Sequence, residues 1–99
     1  MKILIRRNVC DTPIKVSAQP LRFHKPAWLR KIKLAVRHHR EAGVWPWKVY
    51  EVTTGLSVCG DNTRALVTKR AKQTLIGHGR ECCYATITSQ QLPDTRNPK

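Results

Sequence analysis

The chain has 99 residues, enough for one domain with a modest hydrophobic core and too few for a second domain. Nineteen lysines and arginines against six aspartates and glutamates give a formal charge of +13. That is far more than solubility requires, so a polyanion such as nucleic acid is the expected partner. The first apolar run, Ile3 to Ile5, is too short for a secretory signal and no later stretch approaches a membrane span, so we expect a cytoplasmic protein with no membrane partner.

Residues 1–26 predict a short strand followed by an extended arm. Residues 2–7 begin with the branched and apolar side chains of a strand. Three prolines, Pro13, Pro20 and Pro26, then exclude a continuous helix. Within the arm, Ile14 and Val16 alternate with polar residues, which indicates a second short strand.

Residues 28–42 predict the first helix. Pro26 suits a first helical turn and Gly43 a C-terminal stop. One arc of this helix is apolar and packs in the core. The other arc is a basic stripe of Arg30, Lys33, Arg37 and Arg40.

The next segment allows two interpretations. Trp45 and Trp47 flank Pro46 and are expected to anchor a loop in the core, with stacking on an unpaired base as the alternative for one of them. Val49 and Val52 have the spacing of a short helix that ends at Gly55, whereas the alternation from residue 47 onward would suit a strand. The residues that follow favour the helix.

Residues 61–74 predict the second long helix. Asp61 or Asn62 would cap it and Gly77 lies just beyond its end. A repeat of four residues gives its buried seam, Val67, Ala71 and Leu75. The opposite arc holds Asn62, Ala65, Lys69, Lys72 and Gln73. Asn and Gln can pair with adenine, and Lys can reach guanine or phosphate, so this arc suits the DNA major groove, although an ordinary solvated face would also be polar and basic.

The C-terminal part predicts a hairpin and a tail. Residues 74–76 are apolar, residues 77–80 form a turn with Arg80 at its tip, and residues 81–88 have the alternating character of a strand. Residues 89–99 lack apolar mass and are expected to be a flexible tail. The predicted organisation is therefore an arm at 1–26, a folded domain at 27–88 and a tail at 89–99.

The four residues Thr54-Gly55-Leu56-Ser57, followed by the basic segment 61–72, resemble the turn and recognition helix of winged helix-turn-helix DNA-binding proteins. The resemblance covers roughly residues 27–88. It implies a small α+β domain in which Gly55 supplies the turn and Leu56 plugs the core beneath it, with an added N-terminal arm. It also implies double-stranded DNA binding with a regulatory role. The residues assigned to bases are Asn62, Lys69 and Gln73. Those assigned to phosphates are Ser57, Arg70, Lys72, Arg80, Arg30, Lys33, Arg37 and Arg40.

Motifs for catalysis are absent. The sequence has no glycine-rich phosphate loop, no paired carboxylates and no HExxH, so we predict neither an enzyme nor a cofactor site. The cysteines, at 10, 59, 82 and 83, lack the spacing of a disulfide framework and fit reduced thiols in the cytosol. A zinc site would have to be assembled from distant segments, with His78 and Cys82 as its nearest pair, and we do not predict one.

Two other functions fit the same composition. One is a phage-type effector that binds and inhibits a host nucleic-acid enzyme, for which exposed apolar residues such as Trp45 would matter. The other is an RNA-binding accessory protein, with Trp45, Trp47 and Tyr50 as stacking residues.

Overall fold

A four-stranded antiparallel sheet organises the molecule. The computed structural model describes residues 1–6, 12–40 and 45–90. The sheet has the strand order β3-β4-β5-β6. Its strands are β3 (Gln19–Leu21), β4 (Leu34–His38), β5 (Trp47–Glu51) and β6 (Ser57–Asp61). A separate hairpin joins β1 (Lys2–Ile5) to β2 (Ile14–Ser17), a 3₁₀-helix spans Ala27–Lys31, and the described chain ends with α1 (Arg64–His78) and α2 (Arg80–Ser89). The α+β class is confirmed.

The central strands are covered on both faces. Val36 of β4 lies opposite Val49 of β5, and both pack with Leu34 against the helices. The alternate residues Ala35 and Tyr50 pair on the opposite face and pack against the β1–β2 hairpin. Successive strand residues point to opposite faces, so β4 and β5 separate two apolar clusters, and the molecule has three layers.

Helix α1 closes the core from one side. Val67, Ala71 and Leu75 are buried, so the predicted seam is confirmed. Thr63 caps the helix, with its side chain accepting from the Leu66 amide at 3.2 Å. The chain then turns at Gly79, whose φ of 84° lies in the left-handed region.

Helix α2 and the N-terminal hairpin are fixed by contacts distant in sequence. The Tyr84 hydroxyl donates to the Trp28 carbonyl at 2.9 Å, which ties α2 to the 3₁₀-helix. Arg6 donates from Nε to the Thr54 carbonyl at 2.7 Å and from its guanidinium to the Gln90 carbonyl. One arginine thus joins the hairpin, the β5–β6 turn and the end of α2.

Two predicted helices are strands. In place of the helix predicted at 28–42, the structure has the 3₁₀-helix Ala27–Lys31 and strand β4 (Leu34–His38), and residues 41 and 42 lie outside the described chain. The segment from residue 47 to Gly55 forms β5 and a turn. The apolar run at 34–36 lies in a strand buried on both faces, where no alternation is required, and a run of this kind cannot be distinguished from a helix face by periodicity. The strand alternative for residue 47 onward was the correct one.

The second long helix predicted at 61–74 is confirmed as a helix, with shifted bounds. It begins at Arg64, is capped by Thr63 rather than Asp61 or Asn62, and contains Gly77 in its last turn. It follows a strand, so the helix-turn-helix arrangement implied by the resemblance is not found in the described residues. Gly55 does adopt a positive φ of 73°, but the turn it makes joins two strands.

The C-terminal hairpin predicted over residues 74–88 is not formed, because its expected second strand is a helix. Residues 80–89 form α2, in which Cys83, Tyr84 and Ile87 share the face that packs on the core. Their spacing of three and four residues is helical, and it outweighs the β-branched character that suggested a strand. The short strands expected at 2–7 and around Ile14 and Val16 are confirmed as β1 and β2. The tail assigned to 89–99 begins with the last residue of α2, and residues 91–99 lie outside the described chain.

The packing of α1 gives a direct test. Val67 is fully buried, whereas its neighbour Leu66 is 49% exposed. We expect Val67→Ala to lower the free energy of unfolding by about 2–3 kcal/mol, because it removes buried methyl groups and leaves a cavity. Leu66→Ala should change it by less than about 0.5 kcal/mol. Urea unfolding followed by circular dichroism measures both, and equal losses would contradict the observed packing.

Candidate nucleic-acid interface

The described surface carries almost no negative charge. The described chain has three carboxylates, Glu51, Asp61 and Glu81, and the first two are buried. Glu51 accepts from the Thr53 and Thr54 amides at 2.9 and 2.7 Å, which stabilises the turn after β5. Glu81 is therefore the sole exposed carboxylate in the described chain, whereas all lysines and arginines except Arg7, Arg96 and Lys99 lie in that part.

The excess of positive over negative charge is marked on helix α1. The helix has no acidic residue from Arg64 to His78. Lys69 and Gln73 are exposed on the side opposite the buried seam, and Asn62, also exposed, lies just before the helix. Arg70 is exposed and Lys72 half-buried, one on each flank of that side. The structure thus brings together the α1 residues that the sequence predicted as a binding surface.

Arg70 is already partnered. Its Nε lies 3.0 Å from Oδ2 of Asp61, and 57% of its side chain remains exposed. Asp61 also accepts from the Asn62 amide at 2.7 Å, so the carboxylate links the end of β6 to α1. Part of the Arg70 charge is neutralised inside the protein, which leaves Lys69, Lys72 and Arg64 as the cations of α1 without an ion pair among the described residues.

The basic stripe predicted on a first helix does not exist. Arg30 is exposed on the 3₁₀-helix, Lys33 is exposed before β4, Arg37 is half-buried on β4, and Arg40 is exposed beyond that strand. A helix would have placed them on one arc, whereas the extended chain separates them.

Two other residues predicted to contact phosphate lie in different structural elements from those predicted. Ser57 is exposed at the start of β6 and does not cap a helix. Arg80 is exposed at the first position of α2, not at the tip of a hairpin.

A second basic surface was not predicted as a unit. Arg37, Lys48 and Gly60 occupy one row across β4, β5 and β6, because Arg37 pairs with Lys48 and Lys48 pairs with Gly60. Paired residues point to the same face, so the two cations are direct neighbours. Neither forms an ion pair within the described chain. The sequence signal for this row was the alternation from residue 47 onward in β5, which the helix interpretation hid, and the apolar run of β4 gave no such signal.

An indole covers the third position of this row. A Cβ atom built on Gly60 would lie 2.6 Å from Cδ1 of Trp45 and 2.7 Å from its Cβ and Cγ. The indole therefore occupies the space above the glycine, and 49% of Trp45 remains exposed. Trp47, by contrast, is half-buried and packs against the main core, as expected for an anchoring residue.

A histidine orients the arginine of the row. Nη1 of Arg37 lies 3.1 Å from Nδ1 of His39, and Nε2 of His39 lies 2.9 Å from the Tyr50 hydroxyl. A guanidinium can only donate, so Nδ1 is the acceptor and the proton of the neutral imidazole belongs on Nε2. Arg37 is thus held from one side with further N–H donors left over.

A cleft of about 280 Å³ lies at the opposite end of β6 from this row. Its lining is mainly apolar and includes Leu56, Val58 and Ile87, together with His78 and Cys82. No group of three or more potential metal ligands occurs among the described residues. Cys59, Cys82 and Cys83 are free thiols, and Cys10 lies outside the described chain.

Comparison of the chain with protein-family models, characterised proteins and solved structures finds no significant match. Across the described ranges, none of the helices combines the length and the apolar character needed to span a membrane.

The thiols should differ in reactivity. Burial raises the pKa of Cys83. Burial also raises the pKa of Cys59, against the opposing effect of Arg70 and with a further rise from Asp61. Because the thiolate is the nucleophile, exposed Cys82 should be alkylated before Cys59 and Cys83 near pH 8. Peptide mass spectrometry after timed iodoacetamide treatment checks this order. The difference should disappear in urea, and equal folded-state rates would contradict it.

Proposed function

We propose that the protein binds nucleic acid and that the exposed side of α1 is its contact with double-stranded DNA. The observation that carries this proposal is the acid-free helix α1, which presents Lys69 and Gln73 to solvent directly opposite its buried seam. A regulatory role in a cytoplasmic setting is part of the proposal, and it rests on the same interface.

The electrostatics of α1 favour an anionic partner. The N-terminal end of a helix carries a partial positive charge, and cations in the first turn are unfavourable unless an anion is near. Arg64 lies in the first turn of α1, and no carboxylate of that turn compensates it. A phosphate backbone would relieve this repulsion and release counterions on binding.

The chemistry of the exposed side suits a base-reading helix. An α-helix fits the major groove of B-form DNA, where Gln and Asn pair with adenine and Lys reaches guanine. Lys69 and Gln73 lie about one turn apart on this side, and the exposed apolar residues Leu66 and Ile76 lie beside them, suitable for thymine methyl groups. The deep, narrow major groove of duplex RNA would not admit such a helix, which favours DNA.

Salt-dependent binding tests the interface. Lys69→Ala should weaken binding to duplex DNA and reduce the slope of log K against log salt by about 1, since one phosphate contact is lost. Gln73→Ala should lower affinity only for sites that contain its base and leave the slope unchanged. Fluorescence anisotropy with labelled duplexes at several salt concentrations measures both effects.

Lys15→Ala is the matched control. It removes the same charge from an exposed position on the hairpin, on the sheet face opposite α1. It should leave the slope unchanged. An equal loss for Lys15→Ala and Lys69→Ala would show nonspecific attraction and overturn the α1 assignment. Absence of duplex binding at physiological salt would overturn the DNA proposal and favour a protein partner for Leu66 and Ile76.

A further inference from the structure

We propose a second binding site, specific for single-stranded nucleic acid, in which an unpaired base stacks on Trp45 and its flanking phosphates contact Lys48 and Arg37. This site lies on the sheet face opposite α1 and goes beyond duplex binding. It is built from the row that Arg37, Lys48 and Gly60 form across three strands.

The position of Trp45 depends on Gly60. The indole and its Cβ occupy the volume that any larger residue at 60 would need. Glycine is otherwise unfavourable inside a strand, and its presence there commonly marks the close approach of another group. The contact holds the indole against the sheet while about half of the residue stays exposed. A held and exposed aromatic face is the requirement for stacking on a base.

The two cations beside the indole supply the electrostatic part of the site. Arg37 and Lys48 are opposite each other on neighbouring strands, where like charges repel. Both are half-buried, and neither has a carboxylate partner in the described ranges. A bound phosphate would neutralise both. The hydrogen bond from Arg37 to His39 fixes one side of the guanidinium, so less conformational entropy is lost when its other donors bind phosphate.

The occupant follows from this combination. A duplex keeps its bases stacked inside and offers no free base face to an indole, whereas a single strand offers both a base face and phosphates. A purely anionic ligand would not need Trp45, and an apolar protein segment would not satisfy Arg37 and Lys48. Thymine and uracil bases stack in the same way, so the site is assigned to single strands of either sugar.

The two sites lie on opposite faces of the sheet and are joined through β6. Gly60 is followed by Asp61, the last residue of β6, and α1 begins at Arg64. The site at Trp45 and the exposed side of α1 are therefore separate surfaces, and each can bind without the other.

Oligothymidylate and oligouridylate are the probes for this site. Wild-type protein should bind both and show quenched tryptophan fluorescence, because stacking on a base quenches an indole. Trp45→Ala should weaken binding at least about tenfold, the scale of one base–aromatic stack. Trp45→Phe should restore most of the affinity, since it keeps an aromatic face. It should lose most of the quenching, because the remaining indoles, Trp28 and Trp47, pack against the main core and not at this site.

Gly60→Ala and two control variants separate this site from other effects. Gly60→Ala should weaken binding although Trp45 is still present, because the added methyl group displaces the indole. Ile14→Ala removes an exposed apolar side chain from the hairpin and should leave oligothymidylate affinity unchanged. Lys69→Ala should leave it unchanged too, so this site and the α1 interface can each fail alone. Circular dichroism confirms that each variant is folded.

Two outcomes would overturn the proposal. One is unaltered oligothymidylate affinity in folded Trp45→Ala. The other is the absence of binding and quenching in the wild-type protein at physiological salt, whatever the result with duplex DNA.

Discussion

The structure depends on burying β4 and β5 from both sides. Val36 and Val49 pair against the helices, while Ala35 and Tyr50 pair against the hairpin, and all four are nearly or fully buried. A 99-residue chain has little apolar mass for a core. Placing the sheet between two thin layers lets each central strand contribute to two clusters. Helix α1 covers one apolar face of these two strands, and the β1–β2 hairpin covers the other.

This double burial also explains what the sequence could and could not predict. The seam of Val67, Ala71 and Leu75 was predictable because α1 is covered on one side only and keeps a clear helical period. The run from Leu34 to Val36 was not, because a strand buried on both faces has no alternation to reveal it. For Trp47 to Glu51 the helix was favoured because of the residues that follow, which resemble the turn of a helix-turn-helix, although the alternation from residue 47 onward also suited a strand. The candidate binding residues follow the same rule. The exposed side of α1 could be predicted from helical periodicity, whereas the row of Arg37 and Lys48 required knowledge of strand pairing.

The distribution of carboxylates is a second constraint on function. Glu51 and Asp61 are used inside the fold, one to hold the turn after β5 and the other to join β6 to α1. Asp61 partners Arg70, but neither carboxylate forms an ion pair with Lys69, Lys72, Arg37 or Lys48. The described surface therefore keeps a repulsive self-energy that lowers the stability of the free protein, and a polyanion would remove it. On the proposed function, stability and binding would be opposed on these surfaces, which is typical of sites maintained for a partner.

Gly60 and its neighbour Asp61, at the end of β6, support the two proposed binding surfaces. A side chain at position 60 would fill the space of the Trp45 indole, so the strand gives up side-chain packing and backbone entropy there. The next residue, Asp61, orients Arg70 and precedes the cap of α1. Two successive residues of β6 thus support opposite faces of the molecule, one with an aromatic surface and the other with a basic helix. A substitution that shifts the end of β6 would disturb both surfaces together, so their geometric relation is fixed by the strand and not by a flexible linker.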